Sequence, residues 1–181
     1  MSWSEGITEQ FALVDRFTTE ESEWYGPFNT LLVELFPSSE HYQVAPQYKR
    51  VKGSQDFTVH YLIRKRRVPI FFVEIKTYGS LQNLSARALA DDQMRDRFRE
   101  YSSGSIPTPK LIGISSFGTR FCVYTFITET RNLQPKFILP DPDFINDVAP
   151  EDRWAFDILE EEGGAKLREV VTEIKAMAAN L

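Results

Sequence analysis

The sequence predicts a single domain, residues 1–181, of the mixed α/β (α+β) class, in which helices flank a central mixed sheet. Two observations support this prediction. Segments with the apolar periodicity of helices alternate with short runs rich in β-branched and aromatic residues. A length of 181 residues is enough for one complete core, and no repeat or low-complexity stretch divides the chain.

The predicted order of elements is α-β-β-β-α-β-β-α. Gly26-Pro27 lies near the start of the first substantial helix, and Pro37 ends it. We expect a core at about 21–127 and a C-terminal extension at 128–181, irregular as far as residue 156. The predicted elements are a short amphipathic piece at 9–17, helices at 21–36, 83–101 and 165–179, and strands at 41–45, 57–63, 70–77, 110–115 and 121–127.

Composition argues against a membrane-spanning or secreted protein. No segment reaches the ~18 apolar residues that cross a bilayer, and the N-terminus lacks the features of a signal peptide. The single cysteine, Cys122, rules out an intrachain disulfide. We therefore expect an intracellular protein, cytoplasmic or nuclear. The net charge of −5 argues against a dedicated, tight nucleic-acid binder, although only a binding face needs to be basic.

One tripeptide, Glu74-Ile75-Lys76, ends the most apolar of the predicted strands. Both faces of this strand are apolar before the charges begin, which is typical of a central, covered strand. Burying a carboxylate there is unfavourable unless something compensates, and a bound cation would compensate for two carboxylates. Asp56 precedes the second strand, and a hairpin centred on Lys65 would place Asp56 opposite Glu74.

This arrangement predicts a metal site. Two carboxylates, with a backbone carbonyl and waters, suit Mg²⁺ or Mn²⁺, so the expected ligands are Asp56, Glu74 and the carbonyl of Ile75. Lys76 would orient an attacking water or offset charge on a phosphate. The alternative is a plain salt bridge, because the same tripeptide recurs at 173–175, on a predicted solvated helix face.

The spacing of Asp56 and Glu74-Ile75-Lys76, on adjoining strands between two helices, resembles the PD-(D/E)XK phosphodiesterase superfamily. The resemblance covers about residues 21–115. It implies a restriction-endonuclease-like core and metal-dependent hydrolysis of DNA or RNA. Gln55 replaces the proline of the family name, at a position that varies in the superfamily. The stretches EWYGPFNTLL, VAPQ, FFVEIK and DDQMRDRF are also similar to a group of uncharacterised fungal proteins.

Members of the superfamily often add an acidic residue from the first helix, and some add a glutamine from the second. Glu21 fits the first role because helical spacing aligns it with the inward-facing Tyr25. The alternative is a frayed, exposed first turn. Gln93 shares the predicted sheet-facing line of the second helix with Arg97. It is expected to hold a phosphate or a metal-bound water, or else to satisfy a backbone group.

Basic side chains near the predicted site are expected to bind nucleic acid. These residues are Lys49, Arg50, Lys52 and Arg97. The basic turn at 64–67 lies at the far end of the hairpin and is predicted to be a soluble tip. His60 is expected to be a core histidine, and Asp91 and Asp92 are expected to face solvent.

The leading hypothesis is a Mg²⁺- or Mn²⁺-dependent nuclease acting on DNA or RNA. The main rival is a nuclease-like fold that binds nucleic acid or protein without cutting. A third hypothesis is a structural protein in which Glu74 and Lys76 form an ion pair. The sequence leaves the oligomeric state open, with a homodimer among the alternatives.

Overall fold

Alternating apolar runs and turn residues build four helices and seven strands in the part of the chain that the structure describes. The computed structural model describes residues 3–50 and 57–181, and describes side chains for 3–47 and 59–181. The helices are α1 Glu5–Ala12, α2 Ser22–Leu35, α3 Leu84–Tyr101 and α4 Glu161–Met177. The strands are β1 Tyr42–Arg50, β2 Phe57–Lys65, β3 Val68–Lys76, β4 Lys110–Phe117, β5 Arg120–Ile127, β6 Asn132–Gln134 and β7 Phe156–Asp157.

The strands form one sheet in the order β1-β2-β3-β4-β5-β6, and β7 pairs with β5. β3 and β4 run parallel, whereas the other neighbours are antiparallel. Parallel neighbours need a crossover, which α3 provides between β3 and β4. The predicted α+β class with a mixed central sheet is therefore confirmed. None of the described helices combines the length and apolar content needed to cross a bilayer.

Alternate side chains of β3 enter two separate cores. Phe71, Val73 and Ile75 pack on the face that α1, α2 and α4 cover. Phe72 points to the other face, where its ring meets that of Phe98 on α3, with 4.8 Å between ring centroids. Because strand side chains alternate, Glu74 shares the face of Phe72 and lies under α3.

Two elements begin earlier than predicted. The first is the amphipathic piece expected at 9–17, which is helix α1 and spans Glu5–Ala12. The last is α4, which begins at Glu161, so the Gly163-Gly164 pair lies inside the helix and does not precede it. Its position explains the pair, because a Cβ on Gly163 would lie 1.8 Å from the carbonyl oxygen of Asp157. Glycine therefore lets α4 sit directly on the backbone of β7.

The β2–β3 hairpin turns at Arg66-Arg67 and not at Lys65. Both turn residues have positive φ, 49° and 73°, as a two-residue turn of type I′ requires. The turn and a register shift between Ile63 and Arg64 together place His60 opposite Glu74. The predicted register, which set Asp56 opposite Glu74, is corrected accordingly. Asp56 itself lies outside the described residues.

A buried polar cluster joins α3 to the C-terminal extension. The carboxylate of Asp91 accepts hydrogen bonds from the Tyr124 hydroxyl at 2.7 Å, from Arg153 Nη1 at 3.0 Å and from Arg95 Nε at 2.8 Å. We call these four residues the Asp91 cluster. Asp91 is 1% exposed, so the prediction that it faces solvent is wrong, whereas Asp92 is exposed as predicted.

Candidate functional site

The candidate site lies at the point where β2 and β3 cease to pair. Their pairing ends at His60 and Glu74. Beyond this pair, β2 continues to Phe57 along β1, and β3 continues to Lys76 along β4. In the described part of the sheet, the two strands therefore separate at the position of the Glu74-Ile75-Lys76 tripeptide.

Glu74 is a buried carboxylate with one occupied and one open oxygen. The residue is 2% exposed. Its Oε1 accepts a hydrogen bond from Arg97 Nε, and His60 Nδ1 lies 3.9 Å from the same oxygen. Its Oε2 is buried and has no hydrogen-bond partner among the described residues. Burial raises the pKa of Glu74, while the positive charges of Arg97 and Lys76 act in the opposite direction.

Lys76 is held by the acidic residue at the start of α2. Its Nζ donates to Glu21 Oε1 at 2.9 Å, and the two side chains are 12% and 28% exposed. The Tyr25 hydroxyl donates to the other oxygen of Glu21 at 3.4 Å. Burial, followed by the nearby Glu21 carboxylate, raises the pKa of Tyr25. The structure thus brings Glu21 to Lys76, in agreement with its predicted inward position.

Arg97 was expected to lie on the sheet-facing line of α3 and to contact nucleic acid. The residue is 3% exposed, and its guanidinium pairs with Glu74. This location corrects the expected role, because α3 packs the line that contains Arg97 against the sheet. The buried charge of Glu74 was expected to need a cation, and Arg97 provides a positive charge there.

Gln93 lies one helical turn before Arg97, on the same face of α3. Its Oε1 is buried and, like Glu74 Oε2, has no hydrogen-bond partner in the described part of the chain. The side-chain oxygen of Gln93 therefore accepts no hydrogen bond from a described backbone N–H group. Both unpaired atoms are acceptors, so each fits a cation or the N–H or O–H donor of a ligand.

His60 lies beside Glu74, and Tyr101 lies next to His60. His60 is 3% exposed, as expected of a core histidine. Its Nε2 lies 2.5 Å from the Tyr101 hydroxyl, within a hydrogen bond. Burial raises the pKa of Tyr101 to about 12, with a further contribution from Glu100. Tyr101 was not recognised as a site residue from sequence, although it shares the sheet-facing line of Gln93 and Arg97.

Several expected site residues fall outside what the structure describes. Asp56 and Lys52 lie between the described ranges, and the side chains of Lys49 and Arg50 are not described. Ile75, whose backbone carbonyl is the expected metal ligand, lies within the described residues. Its side chain is fully buried and packs in the core on the face away from α3.

The described residues fit a cation, for which Glu74 offers the one unpaired carboxylate oxygen of the site. Glu74 Oε2 is a buried, unpaired carboxylate oxygen, which is a ligand type that Mg²⁺ and Mn²⁺ prefer. No group of three or more His, Cys, Asp or Glu side chains gathers as a metal site within residues 3–47 and 59–181. Other ligands for an ion at Glu74 would come from Gln93 Oε1, Asp56, backbone carbonyls or water.

Comparison of the chain with family models, with curated proteins and with solved structures yields no significant match. The superfamily resemblance therefore depends on the tripeptide and its setting alone.

Proposed function

We propose that the protein is a metal-dependent nuclease that hydrolyses phosphodiester bonds in DNA or RNA. The observation that supports this most directly is Glu74 Oε2, a buried carboxylate oxygen without a partner among the described residues. Glu74 precedes Lys76 by two residues and lies at the point where the pairing of β2 and β3 ends. An acceptor left unpaired inside a protein is unfavourable unless a ligand completes it.

The topology supports a restriction-endonuclease-like core. α2 precedes the antiparallel meander of β1, β2 and β3, and α3 then leads to β4, which is parallel to β3. This order is consistent with the helix, three-stranded meander, helix and fourth strand that the superfamily resemblance implies. Glu74 and Lys76 lie on the central strand of this unit.

In this proposal, Lys76 acts on the phosphate. Its ammonium has three N–H donors, and Glu21 accepts from it at 2.9 Å, so donors remain for a phosphate oxygen or the attacking water. Glu21 positions Lys76. Glu74, with Asp56 and the Ile75 carbonyl, would hold Mg²⁺ or Mn²⁺, and Gln93 would hold a phosphate or a metal-bound water. When bound, the ion polarises the phosphate and lowers the pKa of its water.

One observation favours a second function, a nuclease-like module that binds nucleic acid or protein without cutting. Arg97 already pairs with Glu74 inside the protein. A guanidinium at this carboxylate supplies the compensating charge that the metal would otherwise bring. In this case, the Glu74–Arg97 pair stabilises the fold.

The two functions are separated by a cleavage assay on single- and double-stranded DNA and RNA with Mg²⁺, Mn²⁺ or EDTA. Lys76→Ala, Glu74→Gln and Asp56→Asn are compared with the wild type. The second tripeptide offers matched controls, Lys175→Ala and Glu173→Gln, since these residues form surface ion pairs with Glu40 and Lys110.

Nuclease function predicts metal-dependent cleavage that is lost in the three site variants and kept in the two controls. Cleavage that survives Lys76→Ala and Glu74→Gln would contradict the assignment of the site. Binding of nucleic acid without cleavage, in every metal, would favour the module that does not cut.

A further inference from the structure

A cavity of about 450 Å³ lies on the flank of α3 that faces β5. Arg97 turns from the helix toward β3, whereas Phe98 stacks on Phe126 of β5, with 6.3 Å between ring centroids. The cavity is therefore separate from the Glu74 site. Its volume falls in the range of roughly 300–1,000 Å³ that is usual for small-molecule sites.

The walls of the cavity combine arginines with aromatic rings. They include Arg95, Arg99, Arg131, Phe98, Phe126 and Phe137, and we call this cavity the arginine pocket. The Arg131 guanidinium lies 5.8 Å from the centre of the Phe126 ring, and the Arg95 guanidinium lies 5.1 Å from that of Phe137. Arginine recognises phosphate oxygens, and phenylalanine rings pack against planar ligands.

The Asp91 cluster holds one wall of the pocket in place. Arg95 donates from Nε and Nη2 to Asp91, and from Nη2 to the carbonyl oxygen of Pro135 at 2.9 Å. No described residue accepts a hydrogen bond from its Nη1. Arg95 is thus fixed before any ligand arrives and retains free donors, which reduces the entropy lost on binding.

The remaining arginines are available at the rim. Arg99 pairs with Asp96 at 2.7 Å, but both side chains are exposed, at 75% and 57%, so solvent weakens this pair. Arg131 forms no ion pair within the described chain. Asp92 also lines the pocket. A carboxylate is unfavourable beside a phosphate, but it can accept a hydrogen bond from a ribose hydroxyl or the exocyclic amine of a base.

We propose that the arginine pocket binds a nucleotide unit. The base lies against the exposed Phe137 ring, the phosphate meets Arg99 and Arg131, and Asp92 accepts a hydrogen bond from the base or sugar. The unit is either a free nucleotide or one residue of a single strand, because both present the same chemistry. This site operates independently of hydrolysis at Glu74.

The test is calorimetric titration of the full chain in EDTA, which removes any contribution of a metal site. The probes are AMP, a six-residue oligoadenylate, phenyl phosphate and inorganic phosphate. We expect Arg131→Ala and Arg99→Ala each to weaken AMP binding about tenfold, the value of one charge-assisted hydrogen bond. Arg66→Asn is the matched control, because it also removes one exposed arginine charge and asparagine tolerates the positive φ of 49°.

Two further variants test the roles within the pocket. Phe137→Ala and Asp92→Ala should weaken binding of AMP more than that of inorganic phosphate. Oligoadenylate that binds over tenfold more tightly than AMP would assign the pocket to a strand, and equal affinity would assign it to a free nucleotide. The proposal is overturned if AMP does not bind, if phenyl phosphate binds as tightly as AMP, or if the arginine variants bind like Arg66→Asn.

Discussion

Two buried carboxylates, Asp91 and Glu74, show how differently a protein can treat the same chemical group. Asp91 is 1% exposed and receives hydrogen bonds from two arginines and a tyrosine. Glu74 is 2% exposed, yet its Oε2 has no partner among the described residues. Full pairing makes Asp91 a structural link between α3 and the C-terminal extension. Incomplete pairing leaves Glu74 available to a ligand.

The largest effect is expected from Asp91→Ala. The substitution leaves the guanidinium groups of Arg95 and Arg153 without their carboxylate, in surroundings where these side chains are 12% and 10% exposed. Removing one partner of a buried ion pair costs about 3–5 kcal/mol of unfolding free energy. Urea denaturation followed by fluorescence measures the change. Asp92→Ala, at the exposed neighbour, is the control, and equal losses in the two variants would refute the structural role of Asp91.

A loss of about 3 kcal/mol is expected from Arg97→Ala, because it leaves the Glu74 carboxylate buried without its guanidinium. Combining this change with Glu74→Gln should restore much of the stability, since the uncompensated charge is then removed as well. Denaturation of the two single variants and the double variant measures this coupling. Strict additivity of the two changes would show that the pair does not act as a unit.

A smaller effect is expected from Mg²⁺. At a concentration ten times its dissociation constant, an ion that binds only the native state stabilises it by about 1.4 kcal/mol. Thermal unfolding with Mg²⁺ and with EDTA should show this gain for the wild type and for the Glu173→Gln control. Glu74→Gln should abolish it. A gain that persists in Glu74→Gln would place the ion elsewhere.

The smallest effect concerns Cys122, which lies near the Asp91 cluster. Burial raises the pKa of its thiol to about 12. A folded-state pKa above the unfolded value of about 8.5 adds stability that is complete below pH 8.5 and is lost as the pH rises toward 12. Stability should therefore fall by about 1 kcal/mol by pH 9.2. Cys122→Ala should remove this decline, and a decline that remains would assign it to other groups.

Much of the fold could be predicted from periodicity and breaking residues. The mixed sheet, the crossover helix and the central place of β3 all follow from apolar patterns that local sequence contains. Strand register could not be predicted in this way. It depends on Arg66-Arg67, two arginines in a turn conformation that usually selects asparagine or glycine. That turn, together with a one-residue register shift between Ile63 and Arg64, is why His60, and not Asp56, lies opposite Glu74.

The candidate site was predictable where it depends on helical spacing, which determines which residues face inward. This spacing predicted the inward position of Glu21, where its carboxylate pairs with Lys76. Asp91 was wrongly predicted to face solvent, and Arg97, although correctly placed on the sheet-facing line, was assigned a nucleic-acid contact because of its charge. Each is buried with a partner distant in sequence: Glu74 for Arg97, and Arg153 for Asp91. Such pairings depend on tertiary packing, which no local pattern reports.

The close packing of α4 on β7 restricts which substitutions this sequence can accept over evolutionary time. Any side chain on Gly163 would meet the Asp157 carbonyl oxygen, since even a Cβ would lie 1.8 Å away. Selection that retains this docking will therefore retain glycine at position 163, whatever happens to the chemistry of the Glu74 site on β3. A glycine as the third residue of α4 therefore identifies relatives that share this architecture, including those in which the Glu74-Ile75-Lys76 tripeptide has diverged.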